Sequence, residues 1–375
     1  MVEITLQFKH MKKHFLYPLF LVLLLVAACG PAKKTTSAPS YRESHIIGFY
    51  NLENLFDTYH DEGKNDTEYL PEGANKWTEV KYAKKLSNMA RVIAAMKEDN
   101  GVWHAVLGVS EIENRHVLED LVSEPAIAEA NYQIVHYDGP DRRGVDVALL
   151  YRPEVLKVLA TESIPFTFKP SRIDWSQWTE EEMDYFKTRD VLMVRGTIGG
   201  EMFAFFVAHL PSRLGGKGAD LRPRGAEIIY DRAMELQKEF PGIKIVVMGD
   251  MNDNPTDVSM TEFLHGKEFI DGLADEDFFD PFLSMIKAGY ASLYYQGGNN
   301  IFDIVMVNKA LAVAGSGEWQ IRPIVKGKFY GRIFNKPFMT NQSGQYKGTP
   351  YRTFSNGAFV DGYSDHYPTY ILIAR

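Results

Sequence analysis

Seven short apolar stretches constrain the fold of this chain more than any other feature: residues 45–52, 104–112, 144–151, 202–210, 243–250, 300–307 and 367–373. Each is rich in β-branched or aromatic residues and is expected to be a strand. Two longer segments carry apolar residues at helical spacing. Residues 77–98 place Val80, Ala83, Leu86, Ala90, Ile93 and Ala94 on one face, and residues 221–240 do the same with Ile228, Ile229, Ala233 and Leu236. Residues 188–198 against 201–209 read as a hairpin, which indicates antiparallel pairing. Strands outnumber helices, yet the helices are long enough to cover sheet faces, so the class is mixed α and β. From about His45 there is no internal repeat, low-complexity segment or convincing linker, and 375 residues at 45% hydrophobic suffice for one large core. The expectation is a single domain over 45–375.

The N-terminus reads differently. Lys12, Lys13 and His14 precede the apolar run FLYPLFLVLLLVAAC, which ends in small residues at the only cysteine, Cys29. The ten residues before Met11 read as an upstream start. The run is short, contains Pro18 and resembles a bacterial lipoprotein signal in which Cys29 becomes the lipidated first residue; an ordinary transmembrane anchor is the alternative. Residues 1–29 are therefore expected to be a signal peptide and 30–44 a flexible polar tether, placing the protein in the bacterial cell envelope, outside the cytoplasm. With one cysteine there is no intrachain disulfide, and the fold must stand on its core. A net charge of −8 supplies no global basic field for nucleic acid, although it leaves room for a local cationic groove.

Polar residues punctuate the apolar stretches. Asn51 closes the first, Glu111 the second, His209 the fourth and Asp250 the fifth, while Asp365 and His366 stand just before the last. The segment VVMGDMNDNP, 246–255, sets Asp250, Asn252 and Asp253 within four positions. Singly, each has a structural explanation: Asn51 and Asn54 as turn caps, Glu111 as the entry to a helix, His209 as a loop histidine, GDMND as a turn. Together they would share one rim, because the end of one strand and the start of its antiparallel neighbour lie on the same sheet edge. Carboxylates and amide oxygens without cysteine select a hard cation such as Mg²⁺ or Mn²⁺. Histidines that donate to phosphoryl oxygens and an aspartate that orients or deprotonates a water complete the inventory for phosphoester hydrolysis.

The ordered motifs FYNLENLFD, GVSEIENR, RRGVDVALLYR, VAHLPSR, MGDMND, FDIVMV and YSDHYP resemble the endonuclease/exonuclease/phosphatase superfamily, over about His45 to Arg375. The resemblance implies a DNase I-like four-layer α/β/β/α sandwich with its catalytic rim across one edge of the two sheets. It also implies roles. Glu111 is similar to the main metal ligand, with Asn51, Glu53 and Asp365 beside it. Asp250 resembles the residue that orients or activates the nucleophile, Asn252 its partner on the phosphate, and His366 the histidine on the scissile phosphate, held by Asp303. His209 resembles the second histidine of the DNase I-like and sphingomyelinase-like branches, where AP endonucleases have tyrosine. Arg143, Arg213 and Arg222 are candidates to meet phosphate oxygens, with roleless surface arginines as the alternative. The implied activity is a secreted, membrane-tethered phosphodiesterase, a nuclease on DNA or RNA in the first instance. The alternative is a phosphatase or phospholipase C-like enzyme acting on a lipid headgroup or inositol phosphate. No obligate protein partner is evident. A non-catalytic module is disfavoured, since no catalytic position that can be placed is lost. Residues 166–187, with Trp175 and Trp178, and 320–357 carry no assignable role, their aromatics serving either a cleft or the core.

Overall fold

All seven apolar stretches contain strands, and they divide between two large sheets. In the first, β1 (Ser44–Leu55) pairs in parallel with β2 (His104–Ile112). Beyond β2 the short β3 (Gln133–His136) and β4 (Asp146–Tyr151) extend the sheet, and on the other side the C-terminal strand Thr369–Ala374 runs antiparallel to β1. The second sheet takes β5 (Leu156–Ile164), β6 (Val191–Ile198), β7 (Glu201–His209) and β8 (Lys244–Asp250) in order, then the strand Asp303–Asn308. The expected hairpin is β6–β7, turned by Gly199 and Gly200 with φ of 56° and 91°, the left-handed values its tight turn requires. β7 and β8 pair in parallel.

The sheets pack face to face, which is why β8 is buried along its whole length and reads as an unbroken apolar run rather than an alternating one. Gly108 lets them approach, because a Cβ there would lie 2.7 Å from Met248 Sδ of the other sheet. Helices cover the outer faces: Glu79–Asn100 and Arg115–Ser123 on the first sheet, Gly218–Glu239 on the second. The architecture is the expected α/β/β/α sandwich.

The face of Glu79–Asn100 differs from expectation. Leu86, Ala90 and Ile93 are buried, but Val80 and Ala83 face solvent, and Tyr82, Met89 and Met96 take the inner positions. Tyr82 is drawn inward by its hydroxyl, which donates to Asp120 of the neighbouring helix at 2.8 Å. On Gly218–Glu239 the four expected residues are all buried.

The computed structural model describes residues 41–213, 218–324 and 328–375, and Tyr41–Arg375 forms one compact unit. Cys29, the signal segment 1–29 and the tether as far as residue 40 lie outside the described residues. Residues 42–44, expected in the tether, are bonded to the C-terminus: the Arg42 and Glu43 amides donate to the Arg375 carbonyl, and Ser44 is in register with Ala374. Among the described residues no helix is long and apolar enough to cross a membrane.

Candidate active site

Strand register assembles the site. β7 and β8 are parallel with His209 opposite Asp250, so both leave the sheet at one edge. The next strand runs antiparallel and starts at Asp303, again opposite Asp250. In the first sheet the parallel ends of β1 and β2 bring Asn51 and Glu111 to the same rim, and His366 precedes the C-terminal strand that pairs with β1. Two of the expected adjacencies thus come from parallel pairs rather than antiparallel ones.

The backbone at the rim is irregular where the functional groups sit. The register of β1 shifts between Asn51 and Leu55, and that of β2 between Ser110 and Ile112. Glu53, Asn54, Glu111 and Asn252 have φ of 48°, 53°, 57° and 51°. For glutamate this left-handed conformation costs on the order of 1–2 kcal/mol. A bulge re-aims a side chain at a strand end, and here it turns Glu111 toward the opposite sheet, where its Oε1 lies 3.8 Å from His209 Nε2. Its other oxygen accepts from the Asn54 amide at 3.0 Å, so one bulge holds the other. Gly249 is required just before Asp250, since a Cβ there would sit 2.2 Å from the Ala208 carbonyl oxygen.

Asp250 is the centre. Its Oδ2 accepts from Asn51 Nδ2 at 3.0 Å and lies 3.6 Å from His209 Nε2 and 3.8 Å from His366 Nε2; its Oδ1 accepts from the Asn252 amide at 3.0 Å. Burial pushes its carboxyl up to about 7, against the pull of His366 and with the help of Asp303 and Glu111. A carboxylate poised near neutrality is matched to proton transfer. His366 Nδ1 bonds Asp303 Oδ2 at 2.8 Å, and Asp303 also accepts from Ser292 Oγ at 2.6 Å. Burial by itself would lower His366, but the Asp303 and Asp250 carboxylates hold it well above its ordinary value, so it is a cation at neutral pH. His209 is lowered well below its ordinary value by burial, then by Arg189, Arg143 and His366, and is neutral. Both of its carboxylate neighbours face Nε2, while Nδ1 has no partner among the described residues, so Nε2 carries the proton.

Glu111, His209 and Asp250 each bring a ligand atom within 4.8 Å of the others. Carboxylates facing one another across the rim are the electrostatic complement of a cation, and their oxygens fit a hard divalent ion. Asp365 stands at the edge of the group, with Oδ1 3.9 Å from His366 Nε2. Asn51 turns its amide nitrogen to Asp250 and its oxygen to the Glu53 amide at 2.8 Å.

Other expected residues are placed differently. Glu53 has both oxygens engaged: Oε1 accepts from Arg352 Nε at 3.0 Å and Oε2 from the Thr353 amide at 2.7 Å, with Lys85 Nζ 3.9 Å away. It therefore anchors the 351–353 segment beside the rim, outside the group formed by Glu111, His209 and Asp250. Arg222 is buried and gives Nε to Asp253 Oδ1 at 2.7 Å; Arg213 bonds Asp253 at 3.0 Å and the Asn252 carbonyl at 2.8 Å. These two arginines hold the loop after β8 instead of reaching phosphate. Asp253, expected to be a turn residue, is the buried hub that neutralises both. Asn252 directs Nδ2 to the Leu210 carbonyl at 2.9 Å. Arg143 alone of the three stays half-exposed near His209, with Nε 3.7 Å from Asp141 Oδ1.

Three residues of the site carry no signal in the sequence. Buried Arg189 donates to the carbonyls of His209 and Leu210 at 3.1 and 2.8 Å and to Asp141 at 3.1 Å, fixing the chain where it leaves β7. Lys85, on the inner face of its helix, donates to Thr353 Oγ1 at 2.6 Å. Arg352 bridges Glu53 and Asp365, the latter at 3.2 Å. The aromatics of 166–187 pack on each other: Phe168 lies 4.9 Å from Trp175 and 5.2 Å from Trp178, ring centre to ring centre.

A two-sheet sandwich with acid, amide and histidine side chains at one edge defines a metal-dependent phosphoester hydrolase. The model of the Endonuclease/Exonuclease/phosphatase family matches residues 46–375, and the chain belongs to that family. Solved structures of similar fold include TDP2 of D. rerio complexed with single strand DNA product, 14% identical with a TM-score of 0.50, covering 88% of this chain and 99% of that one. A family protein from Bacteroides thetaiotaomicron is 16% identical with a TM-score of 0.51, covering 89% and 96%. A mannosyl-6-phosphatase of the same organism is 16% identical with a TM-score of 0.50, covering 88% and 100%. No curated protein sequence matches the chain.

Proposed function

We propose that the protein is a nuclease that uses Mg²⁺ or Mn²⁺ to hydrolyse phosphodiester bonds of DNA or RNA. The observation that carries this reading is the convergence on Asp250 of two histidines and an asparagine amide. Asp250 accepts a proton from the attacking water as its oxygen bonds to phosphorus, and the opposite phosphorus–oxygen ester bond breaks, the leaving oxygen taking a proton from solvent water. His366, kept protonated by Asp303, and His209 through Nε2–H donate to the phosphoryl oxygens, where negative charge grows. Glu111 and Asp250, with Asp365 at the edge, would hold the cation, whose chemistry is to polarise the phosphoryl group and offset its charge. Of the three expected arginines, Arg143 is the most exposed and can meet a flanking phosphate.

A net charge of −8 favours a second reading, hydrolysis of a small phosphate ester or a phospholipid headgroup, since it offers a polyanion no long-range attraction. The test is turnover of plasmid DNA, single-stranded RNA, sphingomyelin and inositol phosphates with Mg²⁺, with Mn²⁺ and in excess chelator. Nucleic acid cleaved only with metal supports the nuclease; turnover of the small esters alone overturns it. Export and attachment through a lipid on Cys29 belong to the same proposal, supported by the basic and apolar pattern before that residue. Cys29→Ala is then expected to leave the membrane fraction, and unchanged partition rejects the lipid anchor.

A further inference from the structure

Beside the rim the surface opens into a cavity of about 320 Å³, walled by Tyr294, Tyr346, Tyr351, Arg352, Asn356 and Asp365. Its two charged residues also belong to the rim, because Arg352 bonds Glu53 and Asp365, and Asp365 lies 3.9 Å from His366. A group occupying the cavity is therefore next to the position of the scissile phosphate.

We infer that this cavity binds the base of the nucleotide adjoining the scissile phosphate, so that the substrate is single-stranded or unpaired nucleic acid; the inference rests on the nuclease reading above. Three observations converge on a flat, polar-edged ring. Tyr294 and Tyr346 are 42% and 47% exposed, large aromatic surface left in water at the cavity mouth. Their ring centres are 6.3 Å apart and their planes meet at 71°, a corner in which one ring offers a face for stacking and the other an edge. Ser355 and Asn356 line the same space, and their side chains make no hydrogen bond among the described residues, which leaves donors and acceptors for the edge of a base.

The mounting is rigid, as positioning a nucleotide requires. Tyr294 lies on the hairpin formed by Leu293–Tyr295 and Gly298–Asn300, and Leu293 bridges His366 directly. Ser292, just before it, bonds Asp303 through its hydroxyl and accepts the Tyr367 amide at 2.7 Å. The stacking ring and the catalytic histidine thus share one frame. Arg352, half-exposed between cavity and rim, has Nη1 without a partner among the described residues, which leaves a donor for the backbone phosphate. A base inside a duplex cannot enter such a corner without leaving its stack.

The test uses the purified protein with Tyr294→Ala, Tyr346→Ala, the double variant and the two Tyr→Phe variants, after thermal melts confirm folding. Substrates are a single-stranded oligonucleotide, the same strand lacking the base at the cleavage position, and the duplex. Wild type is expected to prefer the intact single strand over both others, by about 10-fold or more in kcat/KM over the abasic strand. That preference should collapse toward one in the double variant and survive in the phenylalanine variants. Cleavage of nucleic acid with equal kcat/KM on intact and abasic strands, or a preference unmoved by the double variant, overturns the inference while leaving the nuclease reading standing. Failure to cleave any of the three, with small phosphate esters hydrolysed, removes both.

Discussion

Asp250 and Asp253 lie three positions apart after one strand, and exchanging each for asparagine should separate chemistry from architecture. Asp253 uses Oδ1 for Arg222 at 2.7 Å and Arg213 at 3.0 Å, and Oδ2 for Ser259 at 2.6 Å. With Asp253→Asn the side chain would keep one acceptor oxygen and no charge, stranding Arg222, which is 7% exposed. Removing one partner of a buried ion pair costs ~3–5 kcal/mol. The oxygen that remains, and the relief of a carboxyl whose own burial is unfavourable, reduce this to about 2–3 kcal/mol. For a domain of this size that is a Tm drop of roughly 3–4 °C. Asp250→Asn should do the reverse. The amide oxygen can still accept from Asn51, the lost bond to the Asn252 amide is offset by no longer burying a carboxyl that burial disfavours, and the nearest cation, His366, keeps Asp303, so stability should change by no more than about 1 kcal/mol. Yet the proton acceptor and its charge are lost, and kcat should fall ~10² to 10⁴-fold. Urea melts and kcat at saturating metal on the best substrate make the comparison. Similar modest losses of kcat in both variants would refute the assignment of Asp250. So would Asp253→Asn abolishing turnover in a protein as stable as wild type.

Glu111→Gln should weaken divalent-metal binding, read by calorimetric titration of Mn²⁺, and lower turnover with partial recovery in excess Mn²⁺; unchanged affinity removes Glu111 from the ligand set. Arg189→Met should release the chain after β7 through the loss of its bonds to the His209 and Leu210 carbonyls, lowering kcat by roughly 10-fold or more as His209 moves; full activity in a folded variant rejects this. Asp280 is fully buried, accepts from the Phe282 amide and is pushed up to about 7 by burial. The unfolded chain gives up this proton near about 4 and the folded one holds it to about 7, so the folded state binds more protons in between and stability falls as pH rises across that window. Asp280→Asn should flatten the fall, seen in urea midpoints from pH 4.5 to 8; parallel curves for variant and wild type would contradict it.

What the sequence determined by itself is local. A strand announces itself by a few β-branched and aromatic neighbours, so all seven apolar stretches and the acids, amides and histidines at their ends could be read directly, and with them the rim of Asn51, Glu111, His209, Asp250, Asp365 and His366; Asp303 came from the family resemblance. What the tertiary structure decided depends on groups distant in the chain. Glu53 and Arg352 are 299 residues apart, and only their contact turns an expected ligand into an anchor and gives the unassigned 351–353 segment a place beside the rim. Asp253 looks like any turn aspartate until the helix beginning at Gly218 delivers Arg222 to it. The inner face of Glu79–Asn100 departs from the sequence periodicity at Val80 and Ala83 for the same reason, since the rotation of a helix is set by what it packs against, here Asp120 and the first sheet. Local periodicity reports that a surface will be buried; which charge meets which, and what a buried charge therefore does, is decided by the partner that folding brings to it.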